Sequence, residues 1–83
     1  FSAANIDKRF VLETAFRNKA RSVVLVHNHV NGIPVPSRDD LNTTKAVGDF
    51  FQGVNVHLLD HLIYTDEDIF SMAQVKKFAP LFI

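Results

Sequence analysis

His27 and His29 stand one residue apart, and after seven more residues the chain reaches Ser37 and then Asp40, all within the segment HNHVNGIPVPSRDD. On an extended backbone, residues i and i+2 project to the same side, so both imidazoles can face one point while Asn28 faces away. Zinc takes imidazole nitrogen at about 2.0 Å and, in catalytic sites, prefers three protein ligands with water in the fourth position. The chain has no Cys, so any metal must be held by His, Asp or Glu. Asp40, in the first turn of the helix expected after the loop, is the candidate third ligand. Such a set suits a divalent ion whose open position holds a water of lowered pKa. Ser37 beside it could donate a hydrogen bond to a carbonyl oxygen becoming tetrahedral, as amide hydrolysis requires.

Plainer readings exist for the same residues. Ser37-Arg38-Asp39-Asp40 also fits a capping box, in which Ser37 caps the helix and Asp40 answers from its third position. An isolated His-x-His is commonly incidental, with one ring in the core and one in solvent. The two readings of Ser37 and Asp40 do not exclude each other, because a capped helix N-terminus can still present side chains to a site.

A strand, a loop and a helix must bring these groups together. Ser22 to His27 is β-branched and almost continuously apolar, which predicts a short strand buried on both faces that ends at His27. Asn31-Gly32 imitates a hairpin turn, but Pro34 and Pro36 cannot donate to a ladder, so residues 28–36 are expected to form a stiff loop. A helix follows from Arg38 to Gln52, with Leu41, Thr44, Val47, Phe50 and Phe51 inward and a stop near Gly53. Upstream, Phe10, Val11, Leu12, Ala15, Phe16 and Ala20 recur at helical spacing over Asp7–Ala20, with Asn5 or Asp7 as N-cap. Downstream, Val54–Leu59 and His61–Tyr64 read as two strands or one bent strand. A short strand at Ile69 and Phe70 and a helix capped by Ser71 and running to Lys77 complete the chain.

The bulk properties narrow the class. The 83 residues make one domain, over 1–83, with 47% apolar content that suffices for a core. Nine basic and nine acidic residues leave no net attraction for phosphate backbones or anionic lipid, so direct nucleic-acid binding is not expected. Apolar runs such as Val23–Val26 are far below the roughly 20 residues of a membrane helix. A soluble, cytoplasmic protein is the expectation.

The spacing H-x-H, seven residues, S-x-x-D resembles the JAMM metal signature of JAB/MPN domains, filled by His27, His29, Ser37 and Asp40. The blocks VLVHNH, PVPSRDDL and LLDHLIY are similar, more narrowly, to the RadC group, bacterial proteins long labelled as DNA repair. The similarity extends from the first helix to the Ser71 helix. Two departures are Val30, where the group usually has Pro, and Asp66–Asp68, where it usually has a Gly.

The resemblance implies an α/β fold of the JAB/MPN, cytidine-deaminase-like type: a three-layer sandwich whose small mixed sheet is flanked by helices. It implies a zinc-dependent metallopeptidase or isopeptidase in which His27, His29 and Asp40 bind Zn2+ and Ser37 is the catalytic hydroxyl steadying the oxyanion. The family's water-activating glutamate has no match here, since the upstream acids Asp7 and Glu13 fall in or at the start of the first helix. The expectation is therefore a partial domain lacking its N-terminal strands, catalysing little, with an open sheet edge prone to self-association. Asp60 and His61 recur in the RadC pattern and either orient a ligand from behind or merely pair and end strands; His57 reads as surface. The alternative function is a non-catalytic interaction module associated with DNA repair or mobile DNA.

Overall fold

The computed structural model describes residues 6–30 and 32–82. Asn5, the alternative cap, and Asn31, half of the hairpin-like dipeptide, lie outside the described residues. The elements run α1 (Lys8–Arg17), β1 (Ser22–Asn28), α2 (Arg38–Gln52), β2 (His57–Tyr64) and β3 (Ile69–Ser71), followed by 3-10 turns at Met72–Gln74 and Ala79–Phe82. The strands form one mixed sheet in the order β1-β2-β3, with β1 parallel and β3 antiparallel to β2. This small mixed sheet with two helices is the α/β architecture expected. Among the described residues, no helix is long and apolar enough to cross a membrane.

Both helices begin and end for local reasons. The Asp7 carboxylate accepts the Phe10 N–H at 3.1 Å and starts α1. The helix ends at Arg17, short of the expected Ala20, because Lys19 turns left-handed at φ 52° and lets the Ala20 N–H reach the Ala15 carbonyl at 2.9 Å. That is a Schellman closure without glycine. A similar closure ends α2: Gly53 stays helical, and the left-handed residue is Asn55 at φ 60°, with the Val56 N–H donating to the Phe51 carbonyl at 2.9 Å.

The core forms where Ala15 of α1 and Val47 and Phe51 of α2 meet Leu25 of β1 and Leu58 of β2. Several expected core residues stay out of it. Phe10 and Phe16 of α1 and Phe50 of α2 are about half exposed, the last two rings meeting at 5.9 Å. Strand β1 is buried on one face only, since Val24 and Val26 remain 44% and 55% exposed. A continuous apolar run does not reveal which of its faces is covered, and here only the Leu25–His27 face is.

Residues 57–64 form one strand with a bulge. Val23 pairs with Leu58 and Val24 with Asp60, leaving Leu59 as an extra, half-exposed residue in β2. Bulges are uncommon in parallel pairs. Its effect is a change of phase: Leu58 and His61, three residues apart, both face the buried side.

The expected helix after Ser71 is absent, replaced by the 3-10 turns, and the Ser71 side chain makes no cap. Its hydroxyl donates instead to the Asp60 carboxylate, which also accepts the backbone N–H groups of His61 at 2.7 Å and Ala73 at 2.9 Å. Asp60 thus ties β2 to the segment after β3. Ser71→Ala should lower stability by about 1.5–3 kcal/mol, the range for a hydrogen bond to a charged group. Urea denaturation would read this directly, and an unchanged midpoint would remove Asp60 from that role.

Candidate metal centre

The C-terminal end of β1 and the N-terminal end of α2 converge on one point. His27 occupies a buried strand position, and the His29 N–H donates to the Tyr64 carbonyl at 2.9 Å, which carries the ladder one residue past β1 and keeps both rings on one side. The chain then turns back sharply. Gly32 sits at φ +80°, a conformation other residues reach only with strain, and its N–H donates to the His29 carbonyl at 3.2 Å. The His29 Nδ1–H donates to the Ile33 carbonyl at 2.7 Å. Pro34 and Pro36 carry the chain onward to Ser37.

At Ser37 the capping box forms in full. The Ser37 hydroxyl oxygen accepts the Asp40 N–H at 3.1 Å, and Asp40 Oδ2 accepts the Ser37 N–H at 2.8 Å. The same carboxylate faces the imidazoles, with Oδ1 3.1 Å from His27 Nε2 and Oδ2 3.0 Å from His29 Nε2. One ligand-type atom each from His27, His29 and Asp40 lies within 4.8 Å of the others. Capping and convergence are therefore properties of one carboxylate. Ser37 itself is exposed at the rim, and its capping bond uses a lone pair rather than its hydrogen.

The electrostatics favour the neutral form of His27 and the charged form of Asp40. Burial lowers the pKa of His27 from 6.5, against the opposing attraction of Asp40 and with help from His29. For Asp40, burial pushes upward but is outweighed by hydrogen bonds from the Ser37 backbone and side chain and by the nearby imidazoles, so the net shift is downward. His27 Nε2 is buried and has no hydrogen-bond partner despite lying 3.1 Å from Asp40 Oδ1. A ring N–H at that position would not point at the carboxylate oxygen. His29 Nε2 stands in hydrogen-bonding geometry 3.0 Å from Asp40 Oδ2, while its Nδ1 is held by the Ile33 carbonyl. A buried imidazole nitrogen without a partner, a second imidazole nitrogen and a carboxylate thus converge, an arrangement compatible with a metal cation.

Behind His27 stand two residues whose part at the site sequence reasoning did not establish. His61, fully buried on β2, places Nε2 at 2.8 Å from His27 Nδ1, and its Nδ1 lies 2.7 Å from the Thr44 hydroxyl. Thr44, also fully buried, had been expected only as an inward-facing helix residue. The available signal was its position one helical turn beyond Asp40, on the same face. Asp60 does not reach the His61 ring and serves the strand junction instead. His57 is exposed, as expected, while Asp7 caps α1 and Glu13 pairs with Arg9 at 3.7 Å.

Burial lowers the His61 pKa from 6.5 to about 4, with His27 adding to the effect and Asp40 and Asp60 opposing it. Below pH 6.5 the unfolded chain takes up a proton that folded His61 refuses, so this residue makes stability fall with pH until about pH 4. In the presence of chelator, urea denaturation between pH 7 and pH 4 should show a loss approaching about 1.4 kcal/mol per pH unit from this one group. His61→Gln should flatten that slope; an unaltered slope would assign the acid sensitivity elsewhere.

Comparison with known proteins gives consistent matches. The profile of a family described as RadC-like JAB domain matches residues 1–77. A UPF0758 protein of Geobacillus thermodenitrificans is 37% identical over 73 residues, covering 88% of this chain and 32% of the relative. A UPF0758 protein of Pseudomonas syringae pv. tomato is 38% identical over 73 residues, 88% of this chain and 33% of the relative. One from Bacillus cereus is 36% identical over 69 residues, 83% and 31% respectively. The chain spans about a third of the length of these relatives.

Proposed function

Because the chain belongs to the RadC-like JAB domain family, we propose that it is the metal-binding part of a zinc-dependent hydrolase of peptide or isopeptide bonds. His27, His29 and Asp40 are the ligands and Ser37 is the catalytic hydroxyl. The observation that carries this reading is the buried His27 Nε2, which has no hydrogen-bond partner and faces a carboxylate and a second imidazole.

A divalent ion held by these residues would supply Lewis acidity and make a water nucleophilic near neutral pH. The chain's own groups do the positioning. The capping box fixes Asp40 through Ser37, and the Ile33 carbonyl fixes the His29 ring. Ser37, at the start of α2, has a hydroxyl hydrogen free of the cap bond, and the partial positive charge of the helix N-terminus favours an oxyanion beside it. General-base assistance adds about 10²–10⁴-fold to such reactions. With Asp7 and Glu13 engaged on α1, slow turnover by this chain alone is the expected result.

Zinc titration into the metal-stripped chain tests the assignment. One ion per chain should bind, and His29→Ala should lose that binding; equal affinity in the variant would refute the ligand set. Cleavage of an isopeptide-linked substrate, measured with and without Ser37→Ala, tests the hydrolytic half separately.

We further propose that the chain self-associates through β1. Among the described residues, that strand pairs on one side only, and its Val24 and Val26 add exposed apolar surface. Sedimentation velocity should show mass rising with concentration, and a strict monomer at high concentration would count against it.

A further inference from the structure

The hydrogen bonds behind His27 leave little freedom about where its proton sits. Thr44 Oγ1 lies 2.7 Å from the Asp40 carbonyl oxygen, which can only accept. Two oxygens so close with no hydrogen between them would repel, so the hydroxyl hydrogen lies on that line. The hydroxyl has no second hydrogen. Its 2.7 Å contact with His61 Nδ1 must therefore be one in which Nδ1–H donates to the oxygen. A neutral His61 then has only a lone pair at Nε2, and the 2.8 Å contact with His27 Nδ1 requires the hydrogen to be on His27. A neutral His27 with its hydrogen on Nδ1 has its lone pair on Nε2, the atom facing Asp40 and His29.

From this sequence of contacts we infer that Thr44 and His61 are positioning residues that hold His27 in its Nδ1–H tautomer and so make Nε2 a ready metal ligand. The inference rests on the metal reading of the His27, His29 and Asp40 cluster and adds to it what prepares one ligand before metal arrives. The line of hydrogen bonds begins at the backbone carbonyl of Asp40, itself one of the ligands, and returns through two other elements to the same cluster. Motion of the α2 N-terminus is thereby coupled to the state of the His27 ring on β1. His29 is fixed separately, by the Ile33 carbonyl in the loop.

Ring-nitrogen chemical shifts from long-range proton–nitrogen correlation spectra read the tautomer directly. In the full chain without metal, both His27 and His61 should carry their hydrogen on Nδ1; hydrogen on Nε2 of His27 would overturn the inference. Thr44→Val keeps the side-chain shape but removes the oxygen. It should shift His27 towards mixed tautomers and weaken zinc binding roughly 10–100-fold, the usual cost of losing an outer hydrogen-bond partner. Thr44→Ser restores the oxygen and should recover affinity to within about threefold of the unaltered chain, a rescue that a packing role alone does not predict. Unchanged tautomer and affinity in folded Thr44→Val would defeat the assignment. Should that variant not fold, the spectrum of the unaltered chain decides the question. If the unaltered chain binds no zinc, the metal reading falls by itself, while the tautomer result still decides whether Thr44 and His61 set the ring.

Discussion

Asp40→Asn is expected to weaken zinc binding at least about 100-fold, beyond the 10–100-fold that loss of an outer partner costs, while leaving the metal-free protein as stable as before. The two effects separate because the carboxylate has two employments. As a cap it needs only an acceptor for the Ser37 N–H, and an asparagine oxygen provides that. As a ligand it needs negative charge and oxygen lone pairs directed at the imidazoles. In the metal-free protein the amide NH2 can donate to the unpartnered His27 Nε2, which offsets the loss of the charged acceptor at the helix start. Asp40→Ala should lose the cap answer as well and cost about 1 kcal/mol, in the range of helix-cap losses. Competition titration against a chelator and urea denaturation in its presence read the two quantities. Comparable zinc affinity in the asparagine variant would show that the carboxylate only caps.

Zinc itself should produce the second large effect. At free zinc 100-fold above its dissociation constant, binding to the folded state alone adds about 2.7 kcal/mol. For a domain of 60–100 residues, each kcal/mol moves the melting temperature by about 4–8 °C, so a rise of roughly 10–20 °C is expected. Part of that gain would arise at His27 Nε2, which is buried without a hydrogen-bond partner in the metal-free chain. Chelator should reverse the shift, and His29→Ala should abolish it. A melting temperature that zinc leaves in place in the unaltered chain would mean that the cluster holds no ion in solution.

Much of the site was legible in the sequence because it is built from local rules. The i, i+2 imidazoles at a strand end, the Gly and Pro residues of the loop, and Ser37 with Asp40 at a helix start are all short-range patterns whose geometry backbone stereochemistry dictates. The strand and the helix that carry them followed from apolar continuity and periodicity. What stayed hidden depends on distant contacts. Nothing in Val23–Val26 tells which face another element covers, and the same limit applies to Phe10, Phe16 and Phe50, whose spacing is helical but whose neighbours are too few to bury them. The Ser71 hydroxyl was expected to cap a helix, but an Asp60 carboxylate on the adjacent strand outcompetes that local use. For His61 the sequence offers ligand orientation as one of two alternatives, and for Thr44 it offers only an inward position, because the parts of both exist only once β2 lies beside β1 and α2 covers both.

The extra residue in β2 has a consequence for which length changes the protein can absorb. Leu59 has no pairing partner of its own, so its deletion would leave an ordinary alternating strand in which Leu58, His61 and Ile63 keep their inward places. Removing Asp60 would also preserve the count but would sever the junction to Ser71 and Ala73. Adding one residue between Leu59 and His61 would also restore alternation, since four positions would then separate Leu58 from His61, but with Leu58 kept opposite Val23 it would carry the imidazole from opposite Leu25 to opposite His27. A natural or engineered variant one residue shorter at this point should therefore assemble the centre in its present register, whereas one a residue longer must shift the pairing of β2 against β1 by two positions to do so.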